Sequence, residues 1–207
     1  MTANDPTANR TLDGGARRLA TALAISTLLG AAIATGAAPT DDEAAKRARP
    51  LELEIVENGT KFTVDETPAF PDGLPGFGAE FVTVGYIYPA GTIQGTNGVL
   101  PDGSPEFPDK VIGHWTCRGF HVGDGAHTAT GPIVVTHQIL DLGSNPGDEA
   151  IMSDGFELAD VGTQIHRAIV GGTGPYAKAR GEQLQTLVAF PNNAGGVSLR
   201  QTVEITK

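Results

Sequence analysis

Four polar side chains follow a glycine cluster at alternate positions in the segment AIVGGTGPYAKARGEQ, which runs from residue 168 to residue 183. They are Tyr176, Lys178, Arg180 and Glu182. If this segment is a strand, its alternation places all four on one face, opposite a face of alanine and glycine. Such a face could be a polar cluster at one end of a cavity, or a solvated edge on which Arg180 and Glu182 form a structural ion pair.

The glycines Gly171, Gly172 and Gly174 could form either a phosphate-binding loop or a corner between two strands. A Walker-type loop requires Lys followed by Ser or Thr after its last glycine, but here Pro175 and Tyr176 follow. A dinucleotide-binding loop requires a helix after its glycines, whereas the residues beyond this cluster alternate like a strand. We therefore interpret the three glycines as a structural turn.

Histidines supply the other candidate polar groups, at positions 114, 121, 127, 137 and 166. No two have the helical spacing of a zinc-enzyme motif, so the sequence predicts neither a metal nor a cofactor. If Tyr176, Lys178 and Arg180 face a cavity with His114 or His166 across from them, an enzyme is favoured over a structural module. The serine-hydrolase motif G-x-S-x-G is absent. The single cysteine, Cys117, cannot form an internal disulfide and is expected to be a buried small hydrophobe.

Composition and charge restrict the class of protein that these side chains belong to. The chain has 207 residues, enough for one domain with appendages, and contains 28 glycines and 14 prolines. These residues disfavour long helices and favour short strands that are separated by turns. The formal net charge of -10 would repel a polyanion, so nucleic acid is not expected as a partner.

The N-terminal segment has the order of a secretory signal peptide. Arg17 and Arg18 precede an apolar run, which ends in small residues near Ala38. We predict a signal peptide over residues 1–38, a charged flexible tether over 39–50 and one domain over 51–207. A retained membrane anchor is the alternative. With the signal removed, the protein would be secreted or periplasmic and would have no membrane association.

The elements that must position the polar side chains are predicted from apolar alternation and turn residues. Strands are expected at 51–57, 61–66, 80–89, 111–122, 132–142, 155–159, 164–170, 176–190 and 198–205. The dipeptide Asn58–Gly59 predicts a tight hairpin between the first two. Eight or nine strands with short connections indicate an all-β sandwich or an up-and-down barrel.

Some predicted strands are apolar on both faces. In residues 132–142, Ile133, Val135 and Ile139 point one way, and Val134, Leu140 and Leu142 point the other way. A sheet that is open to water on one side would not show this pattern. We therefore expect packed loops or a partner subunit outside the barrel, and we predict a homo-oligomer.

The segment AIVGGTGPYAKARGE resembles the G-G-T-G-x-(Phe/Tyr)-x-x-A-R-G stretch of plant dirigent proteins and of bacterial proteins with the allene oxide cyclase barrel. VIGHWTCRG and GYIYPAGTIQG are similar to two other strands of the same superfamily. The resemblance spans residues 51–207. It implies an eight-stranded antiparallel β-barrel, often a trimer, with a cavity for a small hydrophobic molecule.

The resemblance also implies roles for particular residues. The arginine of A-R-G lines the cavity of dirigent proteins and is implicated in handling a phenolic intermediate; Arg180 matches it. Lys178 stands where those proteins commonly have an aromatic residue, which is a departure from the pattern. Tyr176, Lys178, Glu182, His114 and His166 would then contact the ligand.

Three functions are compatible with these observations. The first is a dirigent-like secreted barrel that binds a small hydrophobic molecule without a cofactor. The second is a cofactor-independent cyclase or isomerase of the allene oxide cyclase type, in which Arg180 stabilises negative charge. The third is a structural or interaction module whose barrel is filled by its own side chains.

Overall fold

The computed structural model describes residues 49–206, which are almost entirely β-sheet. The strands are β1 (Leu51–Glu57), β2 (Thr63–Val64), β3 (Glu80–Pro89), β4 (Gly113–His121), β5 (Pro132–Asp141), β6 (Ala150–Leu158), β7 (Gln164–Gly172), β8 (Arg180–Ala189) and β9 (Ser198–Thr206). Helical structure in this range is confined to short 3₁₀ turns, and no helix within it is long and apolar enough to cross a membrane. The predicted signal peptide lies outside the described residues, as does the predicted tether up to residue 48.

One sheet closes on itself to form the barrel. Its strands follow the order β1, β9, β8, β7, β6, β5, β4, β3, and each pair of neighbours is antiparallel. β1 also pairs with the second half of β3, from Gly85 to Pro89, and this pairing closes the ring. The short strand β2 pairs with the first half of β3. It lies along the same edge of β3 that β1 occupies further along the strand. The prediction of an eight-stranded antiparallel barrel is confirmed.

The predicted hairpin at Asn58–Gly59 is wrong. β1 and β2 both run antiparallel to β3, so they run in the same direction and do not pair with each other. β3 and β9 already occupy both edges of β1, which leaves no edge for a hairpin partner. Asn58 instead caps a 3₁₀ turn, because its Oδ1 accepts hydrogen bonds from the amide (3.2 Å) and the hydroxyl (2.6 Å) of Thr60.

The glycine cluster connects β7 to β8 at the end of the barrel. Gly171 and Gly172 are the last residues of β7, and Gly174 begins a 3₁₀ turn that ends at Tyr176. A second tight turn follows, in which the amide of Ala179 donates to the carbonyl of Tyr176 (2.8 Å). β8 therefore begins at Arg180 rather than at Tyr176, and the strand face that we expected Tyr176 and Lys178 to share with Arg180 does not exist.

Apolar packing outside the barrel covers one part of the sheet. The loop between β3 and β4 folds over the outer faces of β1 and β3, where Val56, Tyr88, Ile93 and Val99 form a buried cluster. The hydroxyl of Tyr88 donates to the carbonyl of Gly98 (2.7 Å), which fixes the loop on the strand beneath it. A packed loop thus covers the outer face of β1 and β3, whereas β5, the strand on which the expectation of an outer cover was based, contributes no residue to this cluster.

The glycine at position 174 is required by both its backbone angle and its surroundings. Its φ is +53°, and a Cβ atom there would collide with the carbonyl oxygen of Asp148. Gly162 has a comparable φ of +84° but open space around a Cβ atom, so it serves as a matched control. We expect Gly162→Ala to lower the free energy of unfolding by roughly 1–2 kcal/mol, and Gly174→Ala to lower it by at least about 1 kcal/mol more, because the clash adds to the backbone strain. Urea denaturation of both variants measures the difference, and equal losses would contradict a close approach at Gly174.

Candidate functional site

The barrel encloses a cavity of about 470 Å³ at one end. The strands β1, β4, β6 and β8 end on this side of the barrel, and β3, β5, β7 and β9 begin there. Inward-facing side chains on the strands form largely apolar walls, which include Phe81, Trp115, Ile165, Leu187 and Leu199. A cavity of this volume is in the range that takes a small molecule.

Four glutamines fill the interior behind the cavity. They are Gln138 on β5, Gln183 and Gln185 on β8, and Gln201 on β9, and all four are buried. The oxygen of Gln138 accepts from the amides of Gln183 and Gln201 (2.9 Å each), and the oxygen of Gln185 accepts from Gln138 (2.9 Å) and Gln201 (3.0 Å). Only Gln185 reaches the cavity surface. The network therefore forms a polar layer inside the barrel that bonds mainly to itself.

Glu157 on β6 connects this layer to the cavity. Its Oε1 atom accepts hydrogen bonds from the hydroxyl of Thr136 (2.8 Å) and the amide of Gln138 (2.9 Å), and the Sγ atom of Cys117 lies 3.7 Å away. Its Oε2 atom has no hydrogen-bond partner among residues 49–206, and Glu157 lines the cavity. One carboxylate oxygen is thus held by the protein, while the other carries no hydrogen bond from the described residues.

A buried arginine lies next to Glu157. Arg167 on β7 is 2% exposed, and its Nη1 atom lies 3.7 Å from Glu157 Oε1. The guanidinium also donates to the carbonyls of Phe156 and Thr136 (3.1 Å each). Burial lowers the pKa of Arg167, and the negative charge of Glu157 opposes that shift. The sheet makes room for this side chain at Gly155, where a Cβ atom would lie 3.1 Å from Arg167 Cγ.

A second carboxyl group, that of Glu57, faces the same cavity from the end of β1. Its Oε1 atom accepts from the hydroxyl of Thr83 (2.6 Å), and its Oε2 atom accepts from the amide of Val197 (2.7 Å). Burial raises the pKa of Glu57; these two hydrogen bonds oppose the shift, and the charge of Glu157 adds to it. The cavity therefore contains one carboxyl group whose proton is held to higher pH than usual and another beside a guanidinium.

His121 and Cys117 complete the polar lining on β4. The Nδ1 atom of His121 lies 3.2 Å from the carbonyl oxygen of Ala79, so it carries the proton when the ring is neutral, and the ring packs edge-on against Phe81. Burial raises the pKa of Cys117 well above its ordinary value, which keeps the thiol protonated. Cys117 is thus the buried, unreactive residue that we predicted.

The residues that we predicted to bind a ligand do not line this cavity. Arg180, Glu182, His114 and His166 lie on the exposed outer face, where His166 Nδ1 is 3.2 Å from Glu182 Oε2. Lys178 is exposed, and Tyr176 packs against the core at the opposite end of the barrel. The expected placement of all six is wrong. The alternation in β8 was read correctly, but its inward residues are Gln183 and Gln185.

The sequence contained signals for the residues that were missed. The alternation of Leu51, Leu53 and Ile55 continues to Glu57, which places that carboxyl group on the inner face of β1. In the same way, Arg167 stands between Ile165 and Ile169 in strand QIHRAIV and shares their face. A charged residue at an inward position of an otherwise apolar strand face marks a group that must be paired inside the barrel.

The donor groups of the described residues do not form a metal centre. Residues 49–206 contain no cluster of three or more His, Cys, Asp or Glu side chains that could hold a metal ion. The glutamines and carboxyl groups in the interior bond to one another and to protein donors instead.

A closed antiparallel barrel with an apolar cavity and buried carboxyl groups is the class of structure that this chain forms. Among solved structures, it is similar to a pterocarpan synthase dirigent protein, with 14% identity, a TM-score of 0.51 and coverage of 78% of this chain and 89% of the other. It is also similar to a pyocyanin demethylase, with 12% identity, a TM-score of 0.48 and coverage of 75% and 98%. No protein-family profile matches the sequence, and no curated protein matches it at a significant level. The fold is therefore that of the dirigent barrel, as the glycine-rich motif indicated.

The raised pKa of Glu57 makes stability depend on pH. In the folded state the carboxyl group binds its proton more tightly than in the unfolded state, so stability is greatest below its ordinary pKa of about 4.5 and falls as the pH rises through the folded value. We expect Glu57→Gln to remove this decline, because an amide can accept from Val197 and donate to Thr83 without ionising. Thermal unfolding of both proteins from pH 4 to pH 8 measures it. A parallel decline in the variant would contradict the assignment to Glu57.

Proposed function

We propose that this protein binds a small, mainly apolar molecule inside the barrel. The observation that carries the proposal is the cavity of about 470 Å³, with apolar walls and a few inward polar groups. Burial of an apolar ligand against such walls is favourable by about 25 cal/mol per Å² of apolar surface removed from water. The polar groups at the back of the cavity would fix its orientation.

The cavity also bears on the alternative functions. A barrel filled by its own side chains would leave no space of this size, so the structural-module alternative is disfavoured. The dirigent structure of the same fold is that of a synthase, which supports a small-molecule role at the level of fold only.

A cofactor-independent isomerase or cyclase is the second candidate function. The observation that favours it is the pair of carboxyl groups on one cavity: Glu57, whose pKa is raised, and Glu157. A carboxyl group with a raised pKa can donate a proton, while a nearby carboxylate accepts one. In this proposal Glu57 and Glu157 take the place that Arg180 held in the sequence-based hypothesis.

Binding in the cavity is tested by filling it. Ile165 on β7 lines the cavity, and the next residue, His166, points outward. We expect Ile165→Trp to weaken binding of the apolar fluorescent probe N-phenyl-1-naphthylamine by roughly tenfold or more, because the indole occupies the ligand space. The control His166→Trp places the same side chain outside and should bind the probe like the parent. Equal binding by both variants would contradict a ligand site in the barrel.

We also propose that the protein is a homo-oligomer, as the sequence analysis predicted. Phe120 on β4, Val135 on β5 and Phe156 on β6 are register neighbours on the outer face, and the two phenylalanines are 47% and 54% exposed. A row of apolar side chains across adjacent strands is a surface that a second copy could cover.

Substitution in this row tests the assembly. We expect Phe156→Arg to shift the mass of the purified protein toward the monomer in light scattering, because a buried guanidinium without a partner opposes association. Leu100→Arg is the matched control: Leu100 is 41% exposed but lies on the loop between β3 and β4. If Phe156→Arg leaves the mass unchanged, or if the parent protein is already a monomer, the outer face of β4–β6 is not the interface.

A further inference from the structure

The charges that line the cavity are unbalanced in sign. Its titratable residues are Glu57, Glu157, Asp160, His121 and Cys117. Among residues 49–206, no lysine or arginine side chain contributes to the lining. The one nearby cation, Arg167, lies behind the wall and directs its donors to backbone carbonyls, Ser153 and Glu157. A ligand in the cavity would therefore meet carboxyl groups and no lysine or arginine side chain.

The interior charge can be counted from these contacts. Arg167 and Glu157 compensate each other, and Glu57 adds either no charge or one negative charge, depending on its protonation. The Cys117 thiol is neutral, because burial raises its pKa well above the ordinary value. Asp160 adds a negative charge at the rim, where Thr130 and Gly131 donate to it. The net field in the cavity is therefore neutral or negative, which disfavours an anionic ligand.

Glu157 also offers a specific acceptor atom. Thr136 and Gln138 hold its Oε1, and this fixes the plane of the carboxylate. Its Oε2 carries no bond from any residue that the structure describes, although the side chain is only 13% exposed. A carboxylate oxygen that is already oriented forms a stronger hydrogen bond to a charged donor than to a neutral one.

We propose, on the basis of the cavity-binding function above, that the natural ligand is an apolar molecule with a basic nitrogen, which donates its N–H to Oε2 of Glu157. The apolar body of the ligand would contact the side chains that line the outer part of the cavity, such as Ile165 and Leu187. Carboxylic acids of the fatty-acid type are disfavoured as ligands by the same charges.

Three compounds with one ring system and different polar groups test this. They are 1-naphthylmethylamine, 1-naphthylmethanol and 1-naphthoate, which at neutral pH are a cation, a neutral alcohol and an anion. Isothermal titration calorimetry of the whole protein at pH 7 gives the three dissociation constants. We expect the amine to bind about tenfold more tightly than the alcohol, and the carboxylate to bind at least about tenfold more weakly than the alcohol.

Two variants separate the contact with Glu157 from general attraction to an acidic protein. Glu157→Gln keeps the shape of the side chain and should reduce the preference for the amine to less than about twofold, while alcohol binding persists. Asp160→Asn removes the charge at the rim and should leave the preference unchanged. If Glu157→Gln does not fold, the parent protein in 1 M salt takes its place. Attraction to exposed charges is lost there, because the Debye length is about 3 Å, whereas a preference set by direct contact with the mostly buried side chain of Glu157 is screened much less.

The outcomes distinguish this inference from the proposed function. Equal binding of the amine and the alcohol, or tighter binding of the carboxylate, would overturn the basic-nitrogen ligand and leave the binding cavity intact. A preference for the amine that disappears in 1 M salt or in Asp160→Asn would also overturn it. Binding of none of the three compounds would count against the cavity function and the ligand class together.

Discussion

The interior of this barrel depends on how one buried cation is satisfied. Arg167 is inside a closed sheet, so its guanidinium must find partners there. It does so through the carbonyls of Thr136 and Phe156 and through Glu157, which connects three consecutive strands. The desolvation of such a pair costs about as much as its attraction returns, so the pair contributes less to stability than to geometry. What it determines is the position of the Glu157 carboxylate.

From Glu157 the polar contacts continue into the glutamine layer. Gln138 donates to Glu157 and to Gln185, and it accepts from Gln183 and Gln201. The layer separates two parts of the interior. On one side of the layer, apolar side chains such as Ile151 and Ile205 fill the interior, and Tyr176 packs against this apolar core. On the other side lies the cavity. A network in which members share acceptors is sensitive to the loss of any one of them.

The fold could be predicted from the sequence further than the site could. Apolar alternation is a local property, and it located most strands, including Glu80–Pro89 with both of its ends. The hairpin predicted at Asn58–Gly59 was wrong because strand pairing is not a local property. β1 pairs with β3, which is distant in sequence, and this pairing closes the barrel. The prediction of the site residues was wrong for a related reason. Alternation shows that Arg180 and Gln183 lie on opposite faces, but which face points inward depends on the closed sheet, and a conspicuous charged motif favoured the wrong one.

A loop forms part of the mouth of the cavity, whereas the floor is formed by side chains on strands. The loop between β8 and β9 is organised by Asn192, whose side chain donates to the carbonyls of Glu57 and Val197 (2.9 Å each) and accepts from the amides of Ala194 (2.9 Å) and Gly196 (3.0 Å). At Gly196 a Cβ atom would lie 2.7 Å from the Glu57 carboxylate, so the loop backbone packs directly on that group. Any ligand that displaces this loop would also expose Glu57 to water and lower its pKa again. The burial that raises the pKa of Glu57 therefore depends in part on this loop, whereas Glu157 is held by hydrogen bonds from Thr136 and Gln138 on β5.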